Sequence, residues 1–439
     1  MNTRELDILL VNEEDYPAPG VGYSALSRVR TAIIRATRYI DITMPPRMGL
    51  VLLATYAMNA GLKVAAVNNA LSSPLRRLRF RRLLRGAPLA VGISTVMISD
   101  PETVRRIVSV IRRHSPGSII ILGGYGACHS PAMRKLADIT VLGYGENALA
   151  RLLSELKKGR GLDSVPGVER DEDGGRILRG GAYYEDGKII FPDWGISNSL
   201  SKRLPVEGSR GCKYNCAFCT TSNRKRQVFR PPSEVFAEVA NDIRVHGARQ
   251  IDFVDSSFTS DPDFTTEFLG LLRNSGLKFS WTCFSRVDDF TRQQGLAGRM
   301  AEAGCALSYL GLESIHDDIL DRMRKGYNRK TIEQALSSLE GLNVFINFII
   351  GFPGDTEAKV KETVDFIESY SLNHVSIAPL YVPAELFEQA RLDPGKFCHL
   401  RGEADTAWEH DTMNRARAVE LAGWARRRLN RRRFVPVAY

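Results

Sequence analysis

Hydrophobic positions in the first 160 residues fall into short apolar runs separated by longer amphipathic stretches. The runs "LDILLVN" (6–12), "KVAAVNN" (63–69), "LAVGIST" (89–95), "SIIILGG" (118–124) and "DITVLGY" (138–144) read as buried parallel strands. Between them "PRMGLVLLATYAMNAG", "DPETVRRIVSVIRRHS" and "GENALARLLSELKKG" carry apolar residues at helical spacing, which predicts an α/β fold with a doubly wound parallel sheet. Residues 161–204 alternate polar and apolar positions around glycine-containing turns, as small hairpins in a connector do, and suggest no chemistry. From 205 a second alternation begins, with six strand-like runs: "PVEGSRG" (205–211), "QIDFVDSSF" (250–258), "KFSWTCFSR" (278–286), "ALSYLGLES" (306–314), "VFINFIIGF" (344–352) and "HVSIAPLYV" (374–382). Five helical patterns lie between them, giving a βα array too short for an eight-fold barrel but curled the same way. The expected organisation is 1–160, a 161–204 connector, a 205–385 partial barrel and a 386–439 extension.

Ligands of such sheets bind beyond the carboxyl ends of the strands, so the strand-exit residues matter most. In the first domain these are Ser94, Thr95, Val96, Gly123, Gly124, Gly143, Gly145 and Glu146. Glycines there either let a ligand approach the backbone or simply make tight turns, and spacing does not choose between the two. In the second domain the loop "GSRGCKYNCAFCTTS" follows the first strand at once and places Cys212, Cys216 and Cys219 within eight residues. A closed zinc site normally takes four ligands, so three thiolates leave a position open. A four-iron cluster bound by three thiolates likewise keeps one iron free for an external ligand. Further strand ends carry Asp255 and Ser257 in "DFVDSSF", Ser285 and Arg286 in "FSRVD", Glu313 in "GLES" and Gly351 in "NFIIGFPGDT". The plainer readings are helix caps at the first and last of these, with Asp355 or Thr356 as the cap residue in the last.

The 439 residues are 44% hydrophobic, enough for two or three sizeable cores. Seven cysteines, three of them clustered, do not resemble a secreted disulfide framework, and a reducing cytoplasmic setting is expected. The acidic N-terminus lacks the pattern of a signal peptide, and no run of eighteen apolar residues occurs, so a soluble chain is expected. The net charge of +10 is concentrated in "PLRRLRFRRLLRG" (74–86) and "RRRLNRRRF" (426–434). Neither run is interleaved with aromatics as a base-stacking platform is, so they read as solvated helix faces and no nucleic-acid partner is expected. Weak membrane association through the tail is left open.

The motif Cys-x3-Cys-x-Phe-Cys after a strand resembles the signature of the radical SAM superfamily. Residues 46–159, through "PPRMGLVLLATYAMNAGLKV", "VGIST", "ILGGYGACHSP" and "VLGYGENAL", are similar to the cobalamin-binding domain that precedes a large class of these enzymes. The resemblance implies that Cys212, Cys216 and Cys219 hold a [4Fe-4S] cluster whose fourth iron binds S-adenosylmethionine (SAM). It places Phe218, Asp255, Ser257, Ser285, Arg286, Glu313 and Gly351 around SAM, with Asp255 and Ser257 toward its amine, Arg286 on its carboxylate and Glu313 on its ribose. It places cobalamin against Ser94, Thr95, Val96, Gly123, Gly124, Gly145 and Glu146. The Asp-x-His-x-x-Gly motif of other cobalamin proteins is absent, which implies a cobalt without a histidine below it; residues 13–45 would cap the corrin or pack on the sheet.

The implied reaction is methylation of an unactivated carbon of a small molecule, of natural-product or lipid type, through a 5'-deoxyadenosyl radical and methylcobalamin, with a flavodoxin- or ferredoxin-like electron donor. Rearrangement or oxidative cyclisation without net methyl transfer is the nearest alternative. A non-catalytic cobalamin or SAM sensor is the alternative of another class, and the intact cysteine motif argues against it. A methylthiotransferase is disfavoured because Cys128 is the only cysteine before Cys212. The final segment, with Trp408, His410, Thr412 and Met413, resembles the C-terminal extension of the same enzymes. His410 is a candidate substrate-site residue set against a structural histidine, and Cys283, Cys305 and Cys398 read as buried thiols.

Overall fold

The computed structural model describes residues 6–13, 47–98, 100–181, 190–197, 201–219, 226–370, 372, 374–382, 400–402 and 407–430. The chain divides into two compact units, Met1–Pro205 and Val206–Tyr439.

In the first unit, β1 (Ile8–Asn12), α1 (Met48–Asn59), β2 (Val64–Val67), α2 (Pro74–Arg85), β3 (Ala90–Ser94), α3 (Pro101–His114), β4 (Ile119–Gly123), β5 (Ile139–Leu142) and α4 (Glu146–Lys157) alternate along the chain. The five strands pair in parallel in the order β2-β1-β3-β4-β5. Their apolar runs are buried on both faces. Ile8, Leu10 and Ile121 pack under α1 and α4, while Leu9, Val91 and Ile120 pack against Phe80, Ile107 and Ile111 on the other side. Local signals fix the helix ends: Asp100 accepts from the Glu102 N–H at 2.9 Å, Pro101 opens α3, and Arg112, Arg113 and His114 close it against the negative end of the helix dipole. In α2 Phe80 and Leu84 are buried with Leu83 packed beside them, and the arginines lie on a solvated face together with exposed Leu75 and Leu78.

The connector is not confined to free hairpins. Strands β6 (Val168–Arg170) and β7 (Arg176–Arg179) form an antiparallel pair, and β7 joins β5 in parallel, extending the sheet to seven strands.

Strand β8 (Arg203–Val206) spans the division at Pro205, and the second unit continues with β9 (Ser209–Gly211), β10 (Gln227–Phe229), α5 (Pro232–Arg244), β11 (Gln250–Phe253), α6 (Pro262–Asn274), β12 (Ser280–Ser285), α7 (Leu296–Glu302), β13 (Cys305–Glu313), α8 (Asp317–Arg322), α9 (Arg329–Ser337), β14 (Val344–Ile350), α10 (Glu357–Ser369), β15 (Val375–Pro379) and α11 (Arg415–Asn430). Six strands form one sheet in the order β15-β14-β13-β12-β11-β8, with β11 through β15 paired in parallel. Trp281 and Cys283 on β12, Leu310 and Leu312 on β13, and Ile346 and Phe348 on β14 are buried. The alternate positions form another surface, on which Phe284 stacks with Tyr309 and Tyr309 meets Phe345 edge-on.

The expected strand 205–211 is two strands. The chain bends at Glu207 and Gly208, and β9 leaves the main sheet to pair antiparallel with β10. The physical cause is Asp255, which accepts from the Gly208 N–H at 3.0 Å and the Ser209 hydroxyl at 2.6 Å and turns the backbone away. Of the helical pattern "RQQGLAGRMAEAG" (292–304), one of the five between the strand-like runs, only α7 is helical as one piece, because Gln293 to Gly295 break it and Gly295 takes a φ of 69°. Most of the segment 13–45, Cys398 and the basic tail from 431 lie outside the described residues.

Candidate functional site

The cysteine loop is held at both ends. Its root is fixed by Asp255 and by Gln227, whose Nε2 donates to Ser209 Oγ and to the Ser257 carbonyl, each at 2.9 Å. Lys213 Nζ donates to the Ser260 carbonyl at 2.6 Å, and further along the Ala217 N–H donates to the Met323 carbonyl at 3.0 Å. Cys216 is buried, and Cys212 and Cys219 are half-buried. Burial raises the Cys212 thiol, and Cys219 and Cys216 stand near enough to push the same way.

The segment after β12 closes around this loop. Arg286, itself buried, directs Nη1 to Cys216 Sγ at 3.8 Å, Nε to Asp288 Oδ1 at 2.9 Å, and Nη2 to the Lys325 carbonyl. Its guanidinium lies 3.7 Å from the centre of the Tyr214 ring. The Tyr214 hydroxyl accepts from Arg292 Nη2 at 2.8 Å, and Arg292 pairs with Asp288 at 3.1 Å, so the network returns to the loop where it began. Burial opposes charge on Arg286, and Asp288 beside it nevertheless holds the guanidinium above its ordinary value.

Among the described residues no three Cys, His, Asp or Glu side chains converge as they do around a single metal ion. A cluster asks for something else, because each thiolate takes its own iron. Three thiols on one short loop, backed by buried cations, fit that donor set.

The remaining sequence-predicted residues have different surroundings. Both Asp255 oxygens are engaged by the loop root, and burial pushes its carboxyl up to about 6 against the hydrogen bonds from Ser209 and Gly208. Ser257 beside it is buried and its hydroxyl has no partner among the described residues, as a group awaiting a ligand would be. Ser285 accepts from the Ser308 hydroxyl at 3.0 Å and touches Cys283, so its side chain lies on the buried face with the inert thiols Cys283 and Cys305. Phe218 stands 5.6 Å from the Lys325 ammonium.

Glu313 has a left-handed φ of 67° at a bulge between β13 and β14, a conformation costing a non-glycine residue about 1–3 kcal/mol. Lys325 and Tyr327 over-determine it: Lys325 Nζ donates to the Gly311 carbonyl at 2.8 Å and lies 3.6 Å from Glu313, while the Tyr327 hydroxyl donates to the same carbonyl at 2.9 Å. Burial raises the Glu313 carboxyl, against the pull of Lys325.

Gly351, with φ 89°, donates to Asp355 Oδ2 at 2.9 Å and accepts at its carbonyl from His410 Nε2 at 3.0 Å. His410 is also stacked on Trp408 and reaches Thr412 Oγ1 at 3.2 Å through Nδ1, and burial lowers its pKa. Both ring nitrogens are therefore occupied, Nε2 in fastening the C-terminal segment to the exit of β14 and Nδ1 within that segment.

Sequence reasoning missed Tyr214, Asp288, Arg292, Lys325 and Tyr327. Tyr214 occupies an unspecified position of the cysteine motif, and Lys325 and Tyr327 follow a short helix without any motif of their own.

In the first unit, order reverses between β1 and β3, where an open sheet offers its crevice. Thr95 is buried there: its N–H and Oγ1 both donate to the Gly123 carbonyl, at 2.7 and 2.9 Å, and Oγ1 accepts from the Ala127 N–H at 2.8 Å. Gly124 has φ 103°, and a Cβ on it would stand 2.8 Å from the Val96 nitrogen. Ser94 is half-buried, while Val96 and the unanticipated Met97 are 58% and 37% exposed. On the β1 side, Asn12 and Glu13 are spent on the backbone N–H groups of Asn69 and Leu71. Gly145 precedes α4 and Glu146 opens it, farther along the strand ends. An apolar pair in the open beside a side-chain-free turn fits a broad, largely apolar macrocycle.

Residues 206–367 match the radical SAM superfamily, and residues 43–153 match the B12 binding domain. An uncharacterised methyltransferase of Pyrococcus horikoshii is 29% identical over 324 residues, covering 69% of each chain. The bacteriochlorophyllide d C-12(1)-methyltransferase of Chlorobaculum tepidum is 30% identical over 180 residues, 39% of this chain and 38% of that one. The fold is that of TsrM from Kitasatospora setae, a radical SAM methyltransferase solved with tryptophan and a SAM analogue, at a TM-score of 0.66 and 18% identity over 87% of this chain and 76% of that one. In the first unit of the present chain no helix among the described residues is long and apolar enough to cross a membrane, nor is any in the second.

Proposed function

Starting from a chain that belongs to the radical SAM superfamily and carries a B12 binding domain, we propose that it is a cobalamin-dependent C-methyltransferase acting on an unactivated carbon of a small molecule, of natural-product or lipid type. The observation that carries the proposal is the three-thiol loop braced by Arg286 in one unit together with the glycine-backed, apolar strand exits of the other. The methyltransferase names of the similar proteins favour methyl transfer over other radical chemistry.

Cys212, Cys216 and Cys219 would hold the [4Fe-4S] cluster, and Ser257, Glu313, Phe218 and the backbone at Gly351 would receive SAM. Thr95, Val96, Met97, Gly123 and Gly124 would receive cobalamin. When bound, these groups supply a 5'-deoxyadenosyl radical for hydrogen abstraction and a methyl group for the substrate carbon. The chain's own part is positional. Asp255 and Gln227 fix the loop root, Lys325 and Tyr327 hold the strained Glu313 backbone, and the buried Ser257 hydroxyl offers an unused hydrogen bond.

The test is anaerobic reconstitution with iron, sulfide and hydroxocobalamin, followed by desalting, spectroscopy, and assay for 5'-deoxyadenosine after SAM and reductant are added. Retained corrin bands, with SAM cleavage abolished by Cys216→Ala, are expected. Cleavage without retained corrin would remove the methyltransferase reading, and retained corrin without cleavage by the wild-type chain would turn the protein into a binding module.

A further inference from the structure

Arg286 is aimed at the cysteine loop, and its geometry leaves little of it for a substrate or cofactor carboxylate. Nε and Nη2 face Asp288 at 2.9 and 3.4 Å, Nη2 also meets the Lys325 carbonyl, and Nη1 points to Cys216 Sγ at 3.8 Å. The plane of the group is fixed by the Tyr214 ring at 3.7 Å, and Tyr214 itself belongs to the cysteine loop. The carboxylate that balances the charge binds the far edge of the guanidinium, so the edge turned to sulfur keeps its positive field. The Lys325 ammonium adds a second buried cation beside Phe218 of the same loop.

From this placement, which rests on the cluster reading above, we propose that Arg286 is a positioning residue that sets the reduction potential of the cluster through Cys216. Reduction by a low-potential one-electron donor adds one negative charge to a site already carrying three thiolates, and no proton needs to move. In a buried setting a cation at hydrogen-bond distance from one thiolate stabilises the reduced state more than the oxidised one. Hydrogen bonds to cluster sulfurs act in the same direction. Arg286 therefore makes the cluster easier to reduce, and Tyr214, Asp288 and Arg292 keep it pointed at the sulfur.

The experiment is a redox titration of the reconstituted cluster, followed by electron paramagnetic resonance with dithionite as the donor and without SAM. The full-length wild type is compared with Arg286→Met, Arg286→Lys and Asp288→Asn. For Arg286→Met the ratio of reduced to oxidised cluster at a fixed potential should fall about tenfold, equivalent to a midpoint about 59 mV more negative. Arg286→Lys keeps the charge and loses the fork, so it should recover part of the ratio, and Asp288→Asn should alter it without removing the cation. Titration of Arg286→Met at the wild-type midpoint would overturn the proposal. If Arg286→Met assembles no cluster, the other two variants decide: wild-type midpoints in both overturn the proposal. A wild-type chain that assembles no cluster would overturn the cluster reading itself, and this inference with it.

Discussion

Asp355 illustrates how a single buried carboxylate couples a turn to pH. Its two oxygens accept from the Gly351 N–H at 2.9 Å and the Thr356 N–H at 3.0 Å, yet burial still pushes its carboxyl up to about 6. A carboxyl raised above its unfolded value favours the fold when protonated. Its contribution is fully present below about 4, the unfolded range, and is lost as pH rises through about 6. The stability of the wild type relative to Asp355→Asn should therefore grow as pH falls from about 7.5 to about 4.5, read from thermal melts of the unreconstituted protein across that range. A flat difference would show that the carboxyl titrates normally. At this scale the cysteines were legible because a local spacing and a narrow chemistry identify them together. Ser285 was misplaced for a simple reason: strand parity puts it with Trp281 and Cys283 on the buried face, opposite Phe284. Arg286 was expected on the SAM carboxylate, and the direction of its side chain depends on Tyr214 and Asp288, which meet it only in the folded chain.

Among the elements, existence was easier to read than role. The parallel strands stood out as apolar runs because both faces of each are buried. The break between β8 and β9 was hidden, because the Asp255 carboxylate that causes it lies 47 residues beyond Gly208. Small hairpins were expected in the connector without assigned partners, and the addition of β7 to the sheet through β5 rests on a long-range pairing that alternation cannot encode. The C-terminal helix raises the same issue, since it packs closely over a glycine at the exit of β14. A Cβ at Gly351 would lie 2.7 Å from both Trp408 and the Ala418 methyl, on a backbone with φ 89°. Gly351→Ala adds strain and overpacking of about 1–3 kcal/mol each. It should lower the melting temperature by several degrees and, in hydrogen exchange, expose residues 407–430 before the rest of the second unit. Unchanged protection of that segment would mean that α11 is held by its other anchors, such as Arg426 Nε on the Ile377 carbonyl at 2.8 Å.

Across the whole molecule the two cofactor assignments fall on different compact units with separate cores, and ligand linkage gives a way to test them independently. A ligand that binds only the folded state stabilises it by mass action, by about 2.7 kcal/mol at a hundred times its dissociation constant. If the turn at Thr95 and Gly124 receives cobalamin, hydroxocobalamin should slow hydrogen exchange over residues 90–127. The effect should be as large in the triple variant Cys212→Ala, Cys216→Ala, Cys219→Ala as in the wild type, because those thiols belong to the other unit. Gly124→Val should remove it: the turn needs φ 103°, and the new side chain would begin 2.8 Å from the Val96 nitrogen. Because that substitution also strains the turn, its unliganded exchange is the control, and a milder change, Met97→Glu, tests the same surface by setting a charge where an apolar macrocycle face would rest. Protection that survives both substitutions would place cobalamin elsewhere. Protection lost in the cysteine variant would show that the two sites are energetically coupled, and the separate assignment of ligands to units would have to be abandoned.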